Sequence, residues 1–406
     1  MQKFEKHSPV VVTEVTTKHE LRQFMQYPNR LYADNPNYIP SFYGDDLSDW
    51  TPGKNPAFDY CEARCWLAWR DGEIVGRIGA ILSHKANDKF GTHRMRFSQV
   101  DFVDDSEVSA ALFGMVERWA REKGCDQVHG PLGFTDMDRE GMLVEGFDRR
   151  SLFFTNYNAP YYLEHLTRLG YRKDVDWIEY RITVPAPGST EAERLHKLSE
   201  FILKRKNLHV ATVHHKSEYG PFVRQVFELV NAAYAPLYGV VELSDEQIER
   251  YANKFIPLVD PDFVCFVLDE QDKLVAFGVT ALDPSVALKH SDGRLFPFGW
   301  AGVLNDLHHS DTLIMLLTAV RPDLQAEGIN AVMMDHVCQS CNRHGVRFAE
   351  TGPMLELNDH ILAQWKRLEK EQHKRRRCFI KDLDHDVNAA NAAAAQTETP
   401  ETESAE

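Results

Sequence analysis

The chain has 406 residues, 43% of them hydrophobic, and carries 61 acidic against 46 basic side chains, for a formal charge of -15 at pH 7. That length exceeds one ordinary core and predicts two domains, while the charge argues against nucleic acid or an anionic membrane surface as the main partner, since both need a basic footprint. No window holds the roughly 18 apolar residues of a membrane span, the start lacks the apolar core of a signal peptide, and seven scattered cysteines suit reduced thiols; a cytoplasmic protein without integral membrane association is expected.

In chain order, the first clear unit is "CWLAWRDGEIVGRIGAILSH" (residues 65–84), a strand, an Asp-Gly turn and a second strand. "MRFSQVDFVDD" (95–105) continues as a strand, "SEVSAALFGMVERWAREKG" (106–124) as a helix, and "CDQVHGPLGF" (125–134) as another strand. The stretch from Gly130 to Leu166 is too long for a plain strand-to-helix connection, and such loops in compact domains tend to carry function. Its acidic Asp136, Asp138 and Glu140, with Glu145, are the type that would receive an ammonium group. Its aromatics, among them Phe147, Phe153, Phe154, Tyr157, Tyr161 and Tyr162, could line an apolar slot for a long-chain amine. The other reading of this loop is a packing role between the two domains, with carboxylates in water and aromatics in a shared core.

A helix ("APYYLEHLTRLGY", 159–171) and a strand ("DWIEYRITV", 176–184) follow, and then "VPAPGST" (184–190), where two prolines and a glycine break the pattern. This break divides a first domain, residues 1–184, from a second, residues 185–385. Beyond it the same order returns: "FVCFVLDEQDKLVAFGVTALD" (263–283) as paired strands, "DTLIMLLTAVRPD" (311–323) as a strand, "GINAVMMDHVCQSCNRHG" (328–345) as a helix, and "VRFAETGPML" (346–355) as a strand. Each half then has one more helix and a closing strand, so a mixed α/β sheet covered by helices is expected in duplicate. If Gly130-Pro131 is laid on Gly352-Pro353, Asp136 falls on Asn358. The last segment, residues 386–406, is small, polar and acidic and is expected to be disordered.

The turn "VRPDLQAEGINA" between strand and helix of the second half is the most informative stretch. The first amides of a helix lack internal partners and sit at the positive end of its dipole, so Gln325, Ala326, Glu327, Gly328, Ile329, Asn330 and Ala331 could seat a phosphate or pyrophosphate. Gly328 has no side chain to obstruct it. An ordinary change of direction is the alternative. The matching turn of the first half has no glycine and carries Asp101, Asp104, Asp105 and Glu107, which would repel phosphates. The His336, Cys338, Cys341 and His344 group lacks the second, separate ligand pair that zinc normally needs. No metal is expected.

Val320, Pro322, Gln325 and Gly328 resemble the signature of the GNAT superfamily of acyl-CoA-dependent N-acyltransferases, with Asn330 standing where that signature has a small residue. The whole chain is similar to bacterial double-domain GNAT-like proteins in "LYADNPNYIP", "VGRIGAI", "GMLVEGFD", "YNAPYY" and "GIN". The resemblance implies two tandem GNAT-like domains, with acetyl-CoA or a longer acyl-CoA as co-substrate on the second and a primary amine as small-molecule acceptor. It further implies that Val320, residues 325–331 and Asn358 face CoA, that a strand bulge frees an amide for the thioester, and that a base takes the amine proton. Glu350, with Glu356 and His360 nearby, is the expected base. Two other readings stay open: a duplicated transferase that uses aminoacyl-tRNA, and a binding or regulatory protein on an inactive GNAT scaffold. The oligomeric state is not fixed by any of these residues.

Overall fold

The computed structural model describes residues 8–383; the tail expected over residues 386–406 lies outside them. The first half runs β1 (Val11–Glu14), α1 (Lys18–Leu31), α2 (Tyr43–Asp49), β2 (Cys61–Arg70), β3 (Glu73–Ser83), α3 (His84–Phe90), β4 (Arg94–Phe102), α4 (Ser106–Glu122), β5 (Gln127–Gly130), β6 (Met142–Glu145), α5 (Tyr161–Arg168) and β7 (Arg172–Thr183). The second half runs α6 (Thr190–Lys206), β8 (His209–Val210), α7 (Gly220–Tyr234), α8 (Asp245–Phe255), β9 (Val264–Leu268), β10 (Leu274–Leu282), α9 (Ser285–His290), α10 (Gly299–His309), β11 (Thr312–Val320), α11 (Asn330–His344), β12 (Phe348–Glu350), β13 (Met354–Leu355), α12 (Asp359–Ala363) and β14 (Lys370–Asp382). No helix among the described residues is long and apolar enough to cross a membrane.

A single 14-stranded mixed sheet crosses both halves in the order β1-β2-β3-β4-β5-β14-β7-β12-β11-β10-β9-β8, with β6 paired to β14 and β13 to β7 off this path. The closing strands are exchanged: β14, from the second half, pairs with β5 of the first, and β7, from the first half, pairs with β12 of the second. Strand 172–183, the end of the first half in sequence, therefore completes the sheet of the other half. β7 and β14 pair with each other from Ile182 opposite Lys370 to Arg172 opposite Ile380. On this seam Glu179, Lys374 and Arg376 are fully buried and ion-paired, Lys374 Nζ lying 3.1 Å from Glu179 Oε2. Burial alone would push the Glu179 carboxyl up; the guanidinium of Arg376 and the ammonium of Lys374 instead hold it at about 2.

Both halves share two irregularities that position a site. β4 and β5 are parallel over only three residue pairs, Arg94 to Arg96 against Gln127 to His129, and β11 and β12 over only three, Thr312 to Ile314 against Phe348 to Glu350. Past those pairs the strands splay. β11 also carries one residue more than β10: Val279 faces Leu317, but the next residue, Thr280, faces Met315, so Leu316 is a bulge. On β4 a corresponding extra residue lies between Ser98 and Asp101, where Gln99 has φ 46°.

Candidate active site

In the second half, the chain leaves β11 through a short 3-10 turn at Pro322–Leu324 and enters α11 with no side-chain cap. Ala326 and Gly328 have φ 63° and 83°, which turns successive amides outward. The amides of Gly328, Ile329 and Asn330 have no partner among the described residues. The turn's charged groups are occupied elsewhere: Glu327 pairs with Lys206 at 2.7 Å and Arg321 with Asp323, while the Gln325 amide donates back to Val320 O at 3.2 Å.

This turn forms one end of a cleft of about 1350 Å³ that follows the splay of β11. Thr318, Ala319 and Val320 supply its strand wall, Leu195 and Leu198 of α6 one rim, and Met354, Leu355, Leu357 and Asn358 the opposite wall. Asn358 caps α12 through a bond from the Ile361 amide while facing the cleft, as does His360. Tyr234, at the end of α7, donates to Thr318 O at 2.8 Å and fixes that helix against the strand.

The far end of the cleft belongs to the first half. Asp136 and Glu140 reach it from the loop after β5, beside Asp174, Trp177 and Tyr238. Asp136 Oδ1 is buried and has no hydrogen-bond partner among the described residues. Burial, with the neighbouring Asp138, raises the Asp136 carboxyl to about 6, and burial with Asp136 raises Glu140 well above the usual range. An acidic pocket walled by Trp177 and Tyr238 suits an ammonium group, by charge and by the ring faces together. The overlay of the two Gly-Pro pairs sets Asp136 against Asn358, but which loop carboxylate enters the cleft is decided by the fold, which sends Asp136 in and ties Asp138 down.

Tyr238 is held by three strands at the middle of the molecule. Its hydroxyl contacts Asp174 Oδ2 at 2.5 Å, His129 Nδ1 at 3.0 Å and Cys378 Sγ at 3.4 Å. Burial lowers His129 to about 4, so its ring is neutral. His129, Asp174 and Cys378 bring potential metal-ligand atoms within 4.8 Å of one another. The phenol already gives each of them a partner, and we read the group as a hydrogen-bonded anchor for the loop after α7. Sequence reading did not single out this set. Cys338 and Cys341 of the His-Cys run are both buried and lie outside it, Cys338 against Pro185 O.

Other residues singled out from sequence lie away from the cleft, for identifiable reasons. Glu350 is drawn to Lys374 at 3.2 Å, on the seam between the exchanged strands. Glu356 is bound by Lys173 and Arg375. Asp138 turns back on its own loop, accepting from the amides of Phe134 and Thr135. Tyr157 packs with Tyr32 and Tyr38, and Tyr161 and Tyr162 donate to Phe102 O. These aromatics occupy the first half's own splay, where bulk was needed to fill it.

No family model matches the chain. It is 27% identical over 379 residues to Protein YghO of Escherichia coli (strain K12), covering 92% of this chain and 95% of that protein. It is 29% identical over 299 residues to the bacterial ceramide synthase of Caulobacter vibrioides, covering 72% of this chain and 75% of that one. Among solved structures, a tandem GNAT protein from the clavulanic acid biosynthesis pathway superposes with a TM-score of 0.52 at 13% identity, over 92% of this chain and 99% of that one. A glucosamine N-acetyltransferase region of a fungal multi-domain β-N-acetylglucosaminidase gives 0.53 at 11% identity, over 93% of this chain and 38% of that one. The fold is thus the tandem GNAT fold that the Val320 to Gly328 signature implied.

Proposed function

We propose that the protein is an acyltransferase that moves an acyl group from acyl-CoA to the nitrogen of a long-chain primary amine. The observation that carries this reading is the continuity of one cleft, which joins the uncapped turn at residues 325–331 to Asp136, whose buried Oδ1 has no partner among the described residues. A diphosphate fits the first end, because free amides at a helix start attract anions. An ammonium fits the other.

On the same strand, two residues before Thr318 of the cleft wall, the bulge at Leu316 leaves a position out of the β10 ladder, and an amide freed in this way can donate to the oxygen of a thioester carbonyl. Asp136 takes the proton of the ammonium, the neutral amine attacks the carbonyl carbon, and the C–S bond breaks to release CoA as its thiol with the amide formed. With a carboxyl near 6, Asp136 is ionised at neutral pH yet basic enough for the task. Leu195, Leu198, Leu237, Val240, Leu355 and Leu357 give the cleft an apolar lining suited to a hydrocarbon chain. The name of one relative agrees, since a ceramide is a long-chain amino alcohol acylated on nitrogen.

The test is thermal-shift titration with CoA and a ladder of acyl-CoAs on wild type, Gly328→Glu and Asn330→Asp, followed by thiol release with long-chain amines. Gly328→Glu also strains a residue at φ 83° whose Cβ would sit 3.0 Å from Ile202. Asn330→Asp adds the charge without that strain. Stabilisation of wild type by acyl-CoA, with Kd weakened roughly ten-fold by Asn330→Asp, is expected. Equal shifts in all three proteins would remove the reading, and binding without thiol release across the amine series would reduce it to a binding role.

A further inference from the structure

The segment from α9 to α10 exposes large apolar side chains that the cleft does not use. Phe296 and Phe298, on the loop between these helices, are 81% and 80% exposed, and Trp300 and Leu304 on α10 and Val286 on α9 are 47%, 45% and 49% exposed. α10 already buries one apolar face, through Val303 and Leu307. Trp300 and Leu304, one turn apart, adjoin that stripe on its outer edge and stay about half exposed. A half-exposed apolar helix edge continued by two standing aromatic rings is not accounted for by folding.

We propose that this tip docks on the surface of a lipid bilayer with zwitterionic headgroups, placing the enzyme where a long-chain amine resides. The headgroup region of a bilayer closes around a projecting Phe or Trp and is the layer where Trp is favoured. The charge fits the same surface. Between residues 285 and 309 the segment has Lys289 and Arg294 against Asp292 and Asp306, formally neutral, within a chain of charge -15 that would be repelled by anionic lipid. Asp306 is turned inward, accepting from the Ala287 amide at 2.7 Å. Docking here is driven by burial and not by counterion release. The inference rests on the reading above that the acceptor carries a long chain.

The experiment is co-sedimentation of the full chain with phosphatidylcholine vesicles, with and without added phosphatidylglycerol, for wild type and the triple variant Phe296→Ser/Phe298→Ser/Trp300→Ser. Wild type should pellet with phosphatidylcholine, the variant should partition roughly ten-fold less, and phosphatidylglycerol should weaken wild-type binding at low salt. Equal partition of the two proteins, or no binding by wild type, overturns the proposal. So does binding that grows with phosphatidylglycerol, or a wild-type dimer that the variant converts to a monomer in light scattering. The thermal shift with acyl-CoA keeps the readings apart: retained in the variant, it certifies an intact fold; absent in wild type, it sinks the acyltransferase reading and leaves the vesicle result to stand alone.

Discussion

The two halves carry the same strand, bulge, turn and helix, with opposite contents. In the first, Asp105 caps α4, its Oδ1 accepting from the amides of Glu107 and Val108. The remaining carboxylates of that turn are also engaged, Asp101 by Arg77, Asp104 by His165 and Glu107 by Arg70. The splay beside it is filled: Tyr162 takes the Phe102 amide at 2.8 Å, its ring lies against Phe102, and Tyr32 bonds its hydroxyl. In the second half the corresponding turn is uncapped and the corresponding splay is a cleft. The same backbone plan is thus a packed joint in one copy and a binding groove in the other. What decides is whether the chain supplies a carboxylate at the helix start and rings at the splay.

The largest expected effect is on chemistry in the open half. Asp136→Asn should lower kcat by roughly 10²- to 10⁴-fold, as loss of a general base does, with the acyl-CoA KM little changed, measured by thiol release. In wild type, kcat/KM should fall about ten-fold per pH unit below about 6, where Asp136 takes up its proton. The stability of this group runs the other way. Its folded pKa is raised from 3.8, so the folded state holds the proton more tightly than the unfolded one. Its contribution therefore improves as pH falls from above 6 towards 4, and at neutral pH the ionised buried carboxylate is a cost. Asp136→Asn should accordingly raise stability at pH 7, by on the order of 1–3 kcal/mol. A variant that is less active and less stable together would mean that Asp136 is structural.

Next in size is the seam that keeps the two copies in register. Glu179→Gln leaves Arg376 and Lys374 buried against a neutral amide, and breaking a buried ion pair from one side costs about 3–5 kcal/mol. Because β7 and β14 are the exchanged strands, the loss should appear as one cooperative transition at lower Tm, followed by calorimetry. Two separated transitions, with only one shifted, would show that the halves fold independently despite the exchange.

The duplication, the order of elements along the chain and the turn at Gly328 were legible in the sequence because each rests on a local pattern. Alternation, helix periodicity, a glycine after a proline and a repeated order of elements all survive without coordinates. The acidic loop after Gly130 was legible as a candidate, but not which of its carboxylates enters the cleft. That choice depends on Asp138 finding the amides of Phe134 and Thr135 within its own loop while Asp136 Oδ1 has no partner among the described residues. Glu350 drew attention as the base because it lies on the strand beside the splay. The exchange of closing strands, which puts Lys374 next to it, has no local signature. The aromatics at Tyr157, Tyr161 and Tyr162 were read as a slot for the same reason: composition gives an apolar surface, and only the fold says that the surface is already covered.

The smallest effect tests the comparison from its closed side. Asp105→Ala removes the cap of α4 and one of the two carboxylate partners of Arg70, which should cost about 0.5–2 kcal/mol of stability. It also uncovers amides like those opening α11, yet no second acyl-CoA should bind, because Tyr161 and Tyr162 still fill the splay. Isothermal titration of the variant should therefore return one site per chain, with the affinity of wild type. A second site would mean that the carboxylate alone separates the two halves, and that the rings merely occupy space a ligand can take. One site, with lowered Tm, would mean that a free helix start is insufficient, and that the open splay beside β11 is what makes the second half a binding groove.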